Sequence, residues 1–231
     1  MPLLWTSLIL KENSNVAESA VVNASPLIFL SRAGLIDLLQ LISAEVIVPE
    51  SVATEIEVRG KRDPTAQTLA NTSWLVVTQT PPVPAQIQAW GLGPGESSVL
   101  AWAYSHPGSE AIIDDLAARR CAGALRIPVR GTLGLTLIAK QRGHISSARR
   151  VLEQLRQGGM YLSDEVMNRA LALMGEWKPT TNESAAKQAS ASPDYPFVTR
   201  DTEHDRSPQR RCLLASHLNL ENILFVAIGM P

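Results

Sequence analysis

The sequence predicts an α/β protein in which a mostly parallel sheet is covered by helices on both faces. Two observations lead to this prediction. Short runs of β-branched and aliphatic residues alternate with helix-length segments over most of the chain, which is the pattern of βαβ units. The chain has 231 residues, 45% of them hydrophobic, which is enough to bury one sizeable core.

The first part of the chain alternates predicted strands with predicted helices. In the first helix, Ser25 is the expected N-cap, Pro26 occupies the first helical position and Gly34 ends the helix. Residues 61–73 are polar and are expected to form a loop, and the PPVPAQ segment at 81–86 is expected to be a rigid link. The predicted strands are 21–22, 45–49 and 74–80, and the predicted helical segments are 25–34, 35–42 and 50–60.

The second part continues the alternation after a glycine-rich segment. GLGPGE, residues 91–96, is expected to be a tight turn that starts a helix, because its spacing does not match the GxGxxG dinucleotide fingerprint. The predicted strands are 111–114 and 126–131, and the predicted helices are 96–106, 115–125, 132–143, 145–159 and 163–176. Strands separated by helices of this length favour parallel pairing.

Composition divides the chain into three parts. Residues 1–19 begin with an apolar stretch that lacks a basic start, so they are expected to be an N-terminal extension rather than a signal peptide. From Lys178 onward, Ser, Thr, Pro and charged residues replace the hydrophobic periodicity. Residues 178–231 are therefore expected to be a disordered or loosely docked tail. Residues 20–177 are the expected folded domain.

Charge and cysteine content indicate where the protein works. No apolar run reaches the roughly 18–20 residues that a membrane-spanning helix needs. The two cysteines, Cys121 and Cys212, lie far apart in sequence and form no zinc motif, which favours a reducing, cytoplasmic compartment. The formal net charge of −1 argues against nucleic-acid binding through bulk positive charge, although it is compatible with a local basic site.

Five polar residues are expected at the carboxyl ends of the strands, where parallel sheets bind ligands. They are one amide and four acids: Asn23, Glu55, Glu96, Asp114 and Asp115. Because clustered carboxylates repel one another, such a group favours a hard divalent cation, and Mg²⁺ or Mn²⁺ suits oxygen ligands. A metal in this place would activate a water and neutralise charge on a phosphate.

Each of these acids also has a structural interpretation. Glu96 lies in the first turn of a helix, where its charge is favourable against the helix dipole. Glu55 lies on an amphipathic helix, where acids are usually solvated. Glu57, two residues later, is an equally good candidate for a functional acid on this helix. One aspartate of the Asp114–Asp115 pair can serve as an N-cap, which leaves the other unexplained. The four histidines show no metal-ligand spacing.

Five segments, in this order, resemble the PIN-domain superfamily, and in particular its VapC-like branch of predicted nucleic-acid-binding proteins. They fall between about residues 20 and 175 and read VVNASPLIFLSRAGLIDLL, EVIVPESVATEI, GPGESSVLAWA, IIDDLAARRCA and RGTLGLTLIAKQRG. The resemblance implies a PIN-like domain at 20–177, built as a three-layer α/β/α sandwich with a central parallel sheet. It also implies Mg²⁺- or Mn²⁺-dependent RNA cleavage, commonly as the toxin of a toxin–antitoxin pair, and a homodimer.

The resemblance also places the acids of the family's site on this chain. They fall on Asn23, on Glu55, on Glu96 and on the pair Asp114 and Asp115, of which Asp115 fits slightly better. Asn23 departs from the pattern, because an amide oxygen can ligate a metal but brings no negative charge. The site then carries one unit less charge, which predicts weaker metal binding.

The RGTLG segment also matches the family. Its Gly131 and Thr132 open a helix, and the implied role of Thr132 is structural, as a helix cap.

The leading functional hypothesis is a metal-dependent endoribonuclease of the toxin type. Its implied catalytic acids are Glu55, Glu96, Asp114 and Asp115, with Asn23 as a further metal ligand. The implied partners are an RNA substrate, a small antitoxin protein and a second copy of the chain. Two alternatives remain open: a PIN-fold module that binds nucleic acid or protein with weakened or lost catalysis, and a small-molecule α/β enzyme that uses the same crevice.

Overall fold

A computed structural model describes residues 17–177; the tail predicted at 178–231 and most of the extension predicted at 1–19 lie outside them. The strands in this part of the chain are β1 (Ser19–Val22), β2 (Val46–Pro49), β3 (Leu75–Thr78), β4 (Ser109–Ile112) and β5 (Val129–Arg130). The α-helices are α1 (Ala24–Ala33), α2 (Glu50–Val58), α3 (Pro64–Asn71), α4 (Ala85–Gln88), α5 (Pro94–Ser105), α6 (Leu116–Ala124), α7 (Thr132–Gln141), α8 (Ala148–Gln157) and α9 (Asp164–Leu173). Residues Ile36–Leu41 form a 3₁₀ helix, within the segment expected to be helical.

The five strands form one sheet with the order β3-β2-β1-β4-β5, and every neighbouring pair is parallel. The predicted α/β class with a parallel sheet is therefore confirmed. Strand β1 lies in the centre, and its residues Ala20, Val21 and Val22 are fully buried. Burial on both faces explains why this strand is a continuous apolar run rather than an alternating one.

The helices form two layers. Helix α5 packs on β1, β2 and β4 and contacts α6, whereas α1 packs with α3, α7 and α8. Crossovers between parallel strands are right-handed, so a change in the direction of the strand order moves the connecting helices to the other face of the sheet. The direction changes at β1, because β2 and β3 lie on one side of it and β4 and β5 on the other. The result is the expected α/β/α sandwich.

The start of α1 differs from the prediction. Asn23, not Ser25, is the N-cap residue, and Ser25 and Pro26 are the second and third residues of the helix. Proline is tolerated there because the first turn needs no N–H donation. The end of the helix is as predicted: Gly34 has a φ of 67° and its N–H bonds to the carbonyls of the last turn.

Two segments predicted to lack regular structure contain helices. The loop expected at 61–73 is wrong, because α3 begins at Pro64 and Asp63 caps it by accepting a 2.8 Å hydrogen bond from the N–H of Thr65. The rigid link expected at 81–86 is wrong at its end, because α4 begins at Ala85. Helix α3 was hidden by its polar composition, since only Thr65 of its residues is buried.

Among residues 17–177, no helix combines the length and the hydropathy that crossing a membrane requires.

Candidate active site

The candidate site lies where the strand order changes direction, at the carboxyl ends of β1 and β4. Val22 and Ile112 are paired at the ends of these strands. The backbone N–H of Asn23, one residue beyond β1, donates to the carbonyl of Ile112 at 3.0 Å. Parallel α/β sheets bind their ligands at this kind of switch point.

Asn23 is buried there, and the oxygen of its side-chain amide lacks a hydrogen-bond partner in the part of the chain that the structure describes. The residue is 1% exposed, and its Nδ2 donates to Oε1 of Glu96 at 3.1 Å. Its Oδ1 has no hydrogen-bond partner among the described residues. A buried acceptor without a partner is unfavourable by about 1–3 kcal/mol. The bond to Glu96 also explains why Asn23 makes no side-chain cap for α1, and it leaves Oδ1 suited to a cation.

Glu96 comes from the first turn of α5, as the sequence predicted. The preceding turn positions it, because Gly93 is the N-cap of α5 and Pro94 is the first residue of the helix. A Cβ on Gly93 would lie 2.5 Å from Oε2 of Glu96, so this carboxylate is folded back over the start of its own helix. One oxygen of Glu96 therefore faces the turn, and the other accepts from Asn23.

Glu55 reaches the same place from α2. A Cβ on Gly95 would lie 3.0 Å from Oδ1 of Asn23 and 3.3 Å from Oε2 of Glu55, so a side chain at Gly95 would crowd both oxygens. Burial and the nearby charge of Glu96 raise the pKa of Glu55, while Arg59 opposes the shift. Asn23, Glu55 and Glu96 together are called the switch-point group below.

Two serines that sequence reasoning missed hold α2 against α5. The Oγ of Ser98 donates to the carbonyl of Gly95 at 2.8 Å and shares a 2.5 Å hydrogen bond with the Oγ of Ser51. Ser98 is buried, so these bonds fix the turn that carries Glu96 relative to the helix that carries Glu55. The only sequence signal is a serine two residues after the acid of the GPGE turn, which is too common to be informative.

Asp114 follows β4 and is turned towards the start of α7. Its Oδ1 accepts from the backbone N–H of Thr132 at 2.8 Å, and its Oδ2 accepts from the Oγ1 of Thr132 at 2.7 Å. Burial raises its pKa, against the opposing effects of the Thr132 hydrogen bonds and of Arg119. The cap expected from Thr132 is wrong, because Gly131 is the N-cap residue and Thr132 donates both protons to an acid 18 positions earlier.

Asp115 caps the helix that it precedes. It is the N-cap residue of α6, and its Oδ1 accepts from the N–H of Ala118 at 2.8 Å. Each member of the aspartate pair therefore stabilises a different helix start, which accounts for the second aspartate that the sequence left unexplained. The structure thus brings together Asn23, Glu55 and Glu96, while Asp114 and Asp115 lie at the end of the adjacent strand with their carboxylates engaged.

The switch-point group provides oxygen donors for a hard cation. Within residues 17–177, no group of three or more His, Cys, Asp or Glu side chains is placed to hold a metal ion. The switch-point group contains two acids, and the third side chain is an amide. Its unpartnered Oδ1 and its two neighbouring carboxylates are all oxygen ligands, which is the donor type that Mg²⁺ and Mn²⁺ prefer. The residues therefore fit such an ion, with less negative charge than four acids would supply.

A known family model matches most of the described part of the chain. Residues 19–176 match the family model DUF3368, described as a PIN domain. This match indicates a nuclease-type function in general, of a kind that typically depends on divalent metals. No curated protein and no solved structure matched the chain.

Proposed function

The chain belongs to the PIN-domain family, and from this premise we propose that it is a Mg²⁺- or Mn²⁺-dependent endoribonuclease of the toxin–antitoxin type. The observation that carries the proposal is the buried Oδ1 of Asn23, which has no partner among residues 17–177 and lies beside two carboxylates. A bound ion is one explanation of a buried polar group that lacks a partner, and the two neighbouring carboxylates favour it here.

Asn23, Glu55 and Glu96 would hold the metal, with Asp114 and Asp115 as the remaining acids of that edge of the sheet. When bound, Mg²⁺ or Mn²⁺ lowers the pKa of a water and neutralises charge on the phosphodiester. The amide of Asn23 orients one oxygen of Glu96 by donating to it, and the Ser51–Ser98 bond fixes the distance between α2 and α5.

The ionisation of Glu55 is suited to this role. Its pKa is raised by burial and by Glu96, which means that two carboxylates repel each other in the protein alone. A cation between them would relieve the repulsion and favour the ionised form of both. The raised pKa therefore supports a site whose charge is compensated from outside the chain.

The direct test compares Glu55→Gln with Glu57→Gln in Mn²⁺-dependent cleavage of single-stranded RNA. Glu57 is an exposed acid two residues away on the same helix, so it controls for the loss of one charge from α2. Glu55→Gln should reduce cleavage by a factor on the order of 100, whereas Glu57→Gln should retain it. Equal activities of the two variants would contradict the proposal. A double Asp114/Asp115 alanine variant is a weaker test, because it also removes hydrogen bonds at the starts of α6 and α7.

The second candidate is a PIN-fold binding module with weakened or lost catalysis. The specific observation in its favour is the amide at position 23, which lowers the charge of the site by one unit. The two candidates separate in one experiment with RNA and Mn²⁺. Binding without cleavage, at Mn²⁺ concentrations that saturate the protein in a titration, supports the module.

The toxin type adds two partners to the proposal, a small antitoxin protein and a second copy of the chain. A small reading frame beside the gene whose product co-purifies with this chain would support the first. Light scattering on the purified chain tests the second, and a monomeric mass across the working concentration range would contradict it.

A further inference from the structure

Cationic side chains gather around Asp63, just beyond the end of α2. Arg59 lies four residues after Glu55, on the same side of the helix. Its Nε contacts Oδ2 of Asp63 at 3.3 Å, and Nη2 of Arg32, from the end of α1, lies 3.6 Å from the same oxygen. Two guanidinium groups therefore share one carboxylate oxygen. With the exposed Lys61 in the same turn, this region has a local excess of positive charge.

Arg32 also lines a pocket of about 380 Å³ between the ends of α1 and α8. Two glycines, Gly158 and Gly159, follow α8 in its lining. A Cβ on Gly158 would lie 3.4 Å from the carbonyl of Phe29, so the glycine lets the end of α8 lie close against α1. Gly159 has a φ of 102°, a conformation that favours glycine. The glycines thus keep this side of the pocket free of side chains.

The other polar groups of the pocket are the amides of Gln154 and Gln157. Within residues 17–177, neither side-chain amide forms a hydrogen bond. Each amide offers a donor and an acceptor, which is the combination that pairs with the edge of a nucleobase. Arg32, with a side chain that is 36% exposed, offers a planar donor group that suits a phosphate.

We infer that this pocket is a subsite for one ribonucleotide of a bound single-stranded RNA, with its phosphate held by Arg32 and its base contacted by Gln154 and Gln157. The inference rests on the proposed function in taking RNA as the ligand. The combination of amides with a guanidinium favours a nucleotide over an acidic peptide, because a peptide carboxylate would use the guanidinium and leave the amides without a role.

The subsite is remote from the bond that would be cut. Arg32 lies nine residues after Asn23 on α1, which corresponds to about 13 Å along a helix. Successive nucleotides of a stacked strand are about 3.4 Å apart along its axis. The nucleotide in the pocket is therefore not one of the two that flank the scissile phosphate. Arg59 lies between the two places, because it interacts with Glu55 and shares Asp63 with Arg32, and it provides positive charge for the intervening backbone.

The test measures the affinity of the full chain for a fluorescent single-stranded RNA of about eight nucleotides, in EDTA, by anisotropy. Arg32→Gln should weaken binding by about fivefold or more, and the Gln154→Ala/Gln157→Ala double variant should weaken it by a similar factor. The matched control is Arg156→Gln, because Arg156 is also near the end of α8, has a side chain that is 51% exposed and pairs with Asp164. It should change the affinity by less than about twofold.

Substrate length gives a second readout. A dinucleotide that occupies the switch-point group cannot reach the pocket, so the wild type, Arg32→Gln and the double glutamine variant should cleave or bind it equally. With the longer RNA, the same variants should raise KM and leave kcat unchanged. The Gln154→Ala/Gln157→Ala variant keeps the Arg32–Asp63 contact. Its result is therefore independent of any loss of stability in Arg32→Gln, which thermal unfolding would reveal.

The outcomes separate this inference from the proposed function. RNA binding that depends on Arg32 and the glutamines, without cleavage in Mn²⁺, supports the subsite and contradicts the nuclease. Cleavage that is unaffected by these variants supports the nuclease and overturns the subsite. The subsite is also overturned if Arg156→Gln weakens RNA binding as much as Arg32→Gln does, or if the wild type binds no RNA in EDTA. A third contradicting outcome is that the Gln154→Ala/Gln157→Ala variant loses affinity for a polyglutamate peptide but not for RNA.

Discussion

Glu176, just beyond α9, and Glu55, on α2, are both acids that reach the start of another helix, but their surroundings are opposite. Glu176 is engaged with the side chain of Lys140 and with the start of α8. It accepts hydrogen bonds from the N–H groups of Ala148 and Arg149 at 2.9 and 3.0 Å and from the Oγ of Ser147 at 3.1 Å, and its Oε1 lies 2.6 Å from Nζ of Lys140. These partners lower the pKa of Glu176 to about 2, with the Arg149 N–H contributing most.

Glu55 has a raised pKa instead, because burial and a second carboxylate outweigh its one cationic neighbour, Arg59. The acids of this chain therefore fall into two kinds. Where an acid joins helices, as Glu176 does, or caps one, as Asp115 does, donors surround it. In the switch-point group the charges repel and an amide oxygen lacks a partner. Such unsatisfied groups are expected in a site that is completed by a ligand.

The largest expected effect is on stability, from Glu176→Gln. The amide keeps the shape but loses the charge and places an NH₂ group against donors, so at least one N–H at the start of α8 loses its partner. We expect the free energy of unfolding to fall by about 2–3 kcal/mol, measured by urea denaturation at pH 7. Metal affinity should not change, because Glu176 is not part of the switch-point group.

The control for this change is Glu165→Gln on α9. The Glu165 side chain is 72% exposed and pairs with Arg169 one turn away, so its loss should change stability by less than about 0.5 kcal/mol. If Glu176→Gln and Glu165→Gln are equally stable, the hydrogen bonds of Glu176 do not stabilise the fold. The contrast between Glu176 and Glu55 is then wrong.

The second expected effect is on the pH dependence of stability. The pKa of Glu176 is lowered from 4.5 to about 2, so its contribution is present above pH 4.5 and is lost as the pH falls towards 2. With a discount for solvent screening, we expect the wild type to lose about 2 kcal/mol over this window through Glu176. Urea denaturation between pH 2 and 5 should show a smaller loss in Glu176→Gln, and parallel curves for the two proteins would refute the assignment.

Much of the fold could be predicted because its signals are local. Residues 21–22 of β1 and the Gly34 stop of α1 follow from β-branched composition and from the conformational freedom of glycine. Helix α3 was missed although Asp63 and Pro64 form an N-cap and first-turn pair, because the polar composition of the segment suggested a loop. The N-cap signal was present there, but the prediction relied on apolar composition, which this segment lacks.

The sequence predicts which residues belong to the site, but not the contacts that they make. The position of Asn23 at the end of a strand is readable from sequence, but its bond to Glu96 joins residues 73 positions apart. The same holds for Asp114, whose partner Thr132 comes from another strand end. Which acid is engaged and which is left unsatisfied depends on these long-range contacts, and no local pattern encodes them.

The third expected effect comes from Asn23→Asp, which adds a charge to the switch-point group. A carboxylate at this buried position would no longer donate to Glu96 and would repel it, so the metal-free protein should lose about 1–2 kcal/mol of stability. The added charge should increase Mn²⁺ affinity by about tenfold in a calorimetric titration. Asn71→Asp, at an exposed position on α3, is the matched control and should leave Mn²⁺ affinity unchanged. Equal or weaker binding by Asn23→Asp would mean that Asn23 is not a ligand.

The smallest expected effect has the opposite sign, because Glu55→Gln should stabilise the metal-free protein. A group whose pKa is raised in the folded state favours folding below its unfolded pKa, and this contribution is lost as the pH rises through the folded value. Glutamine mimics the protonated form at every pH. The variant should therefore gain about 0.5 kcal/mol at pH 7, a small value because Glu55 is partly exposed to solvent, and nothing at pH 4. Chemical denaturation at both pH values, with Glu57→Gln as control, measures the gain. A loss of stability at pH 7 would mean that the ionised Glu55 stabilises the fold, as Glu176 does. The contrast between the surroundings of these two acids would then be wrong.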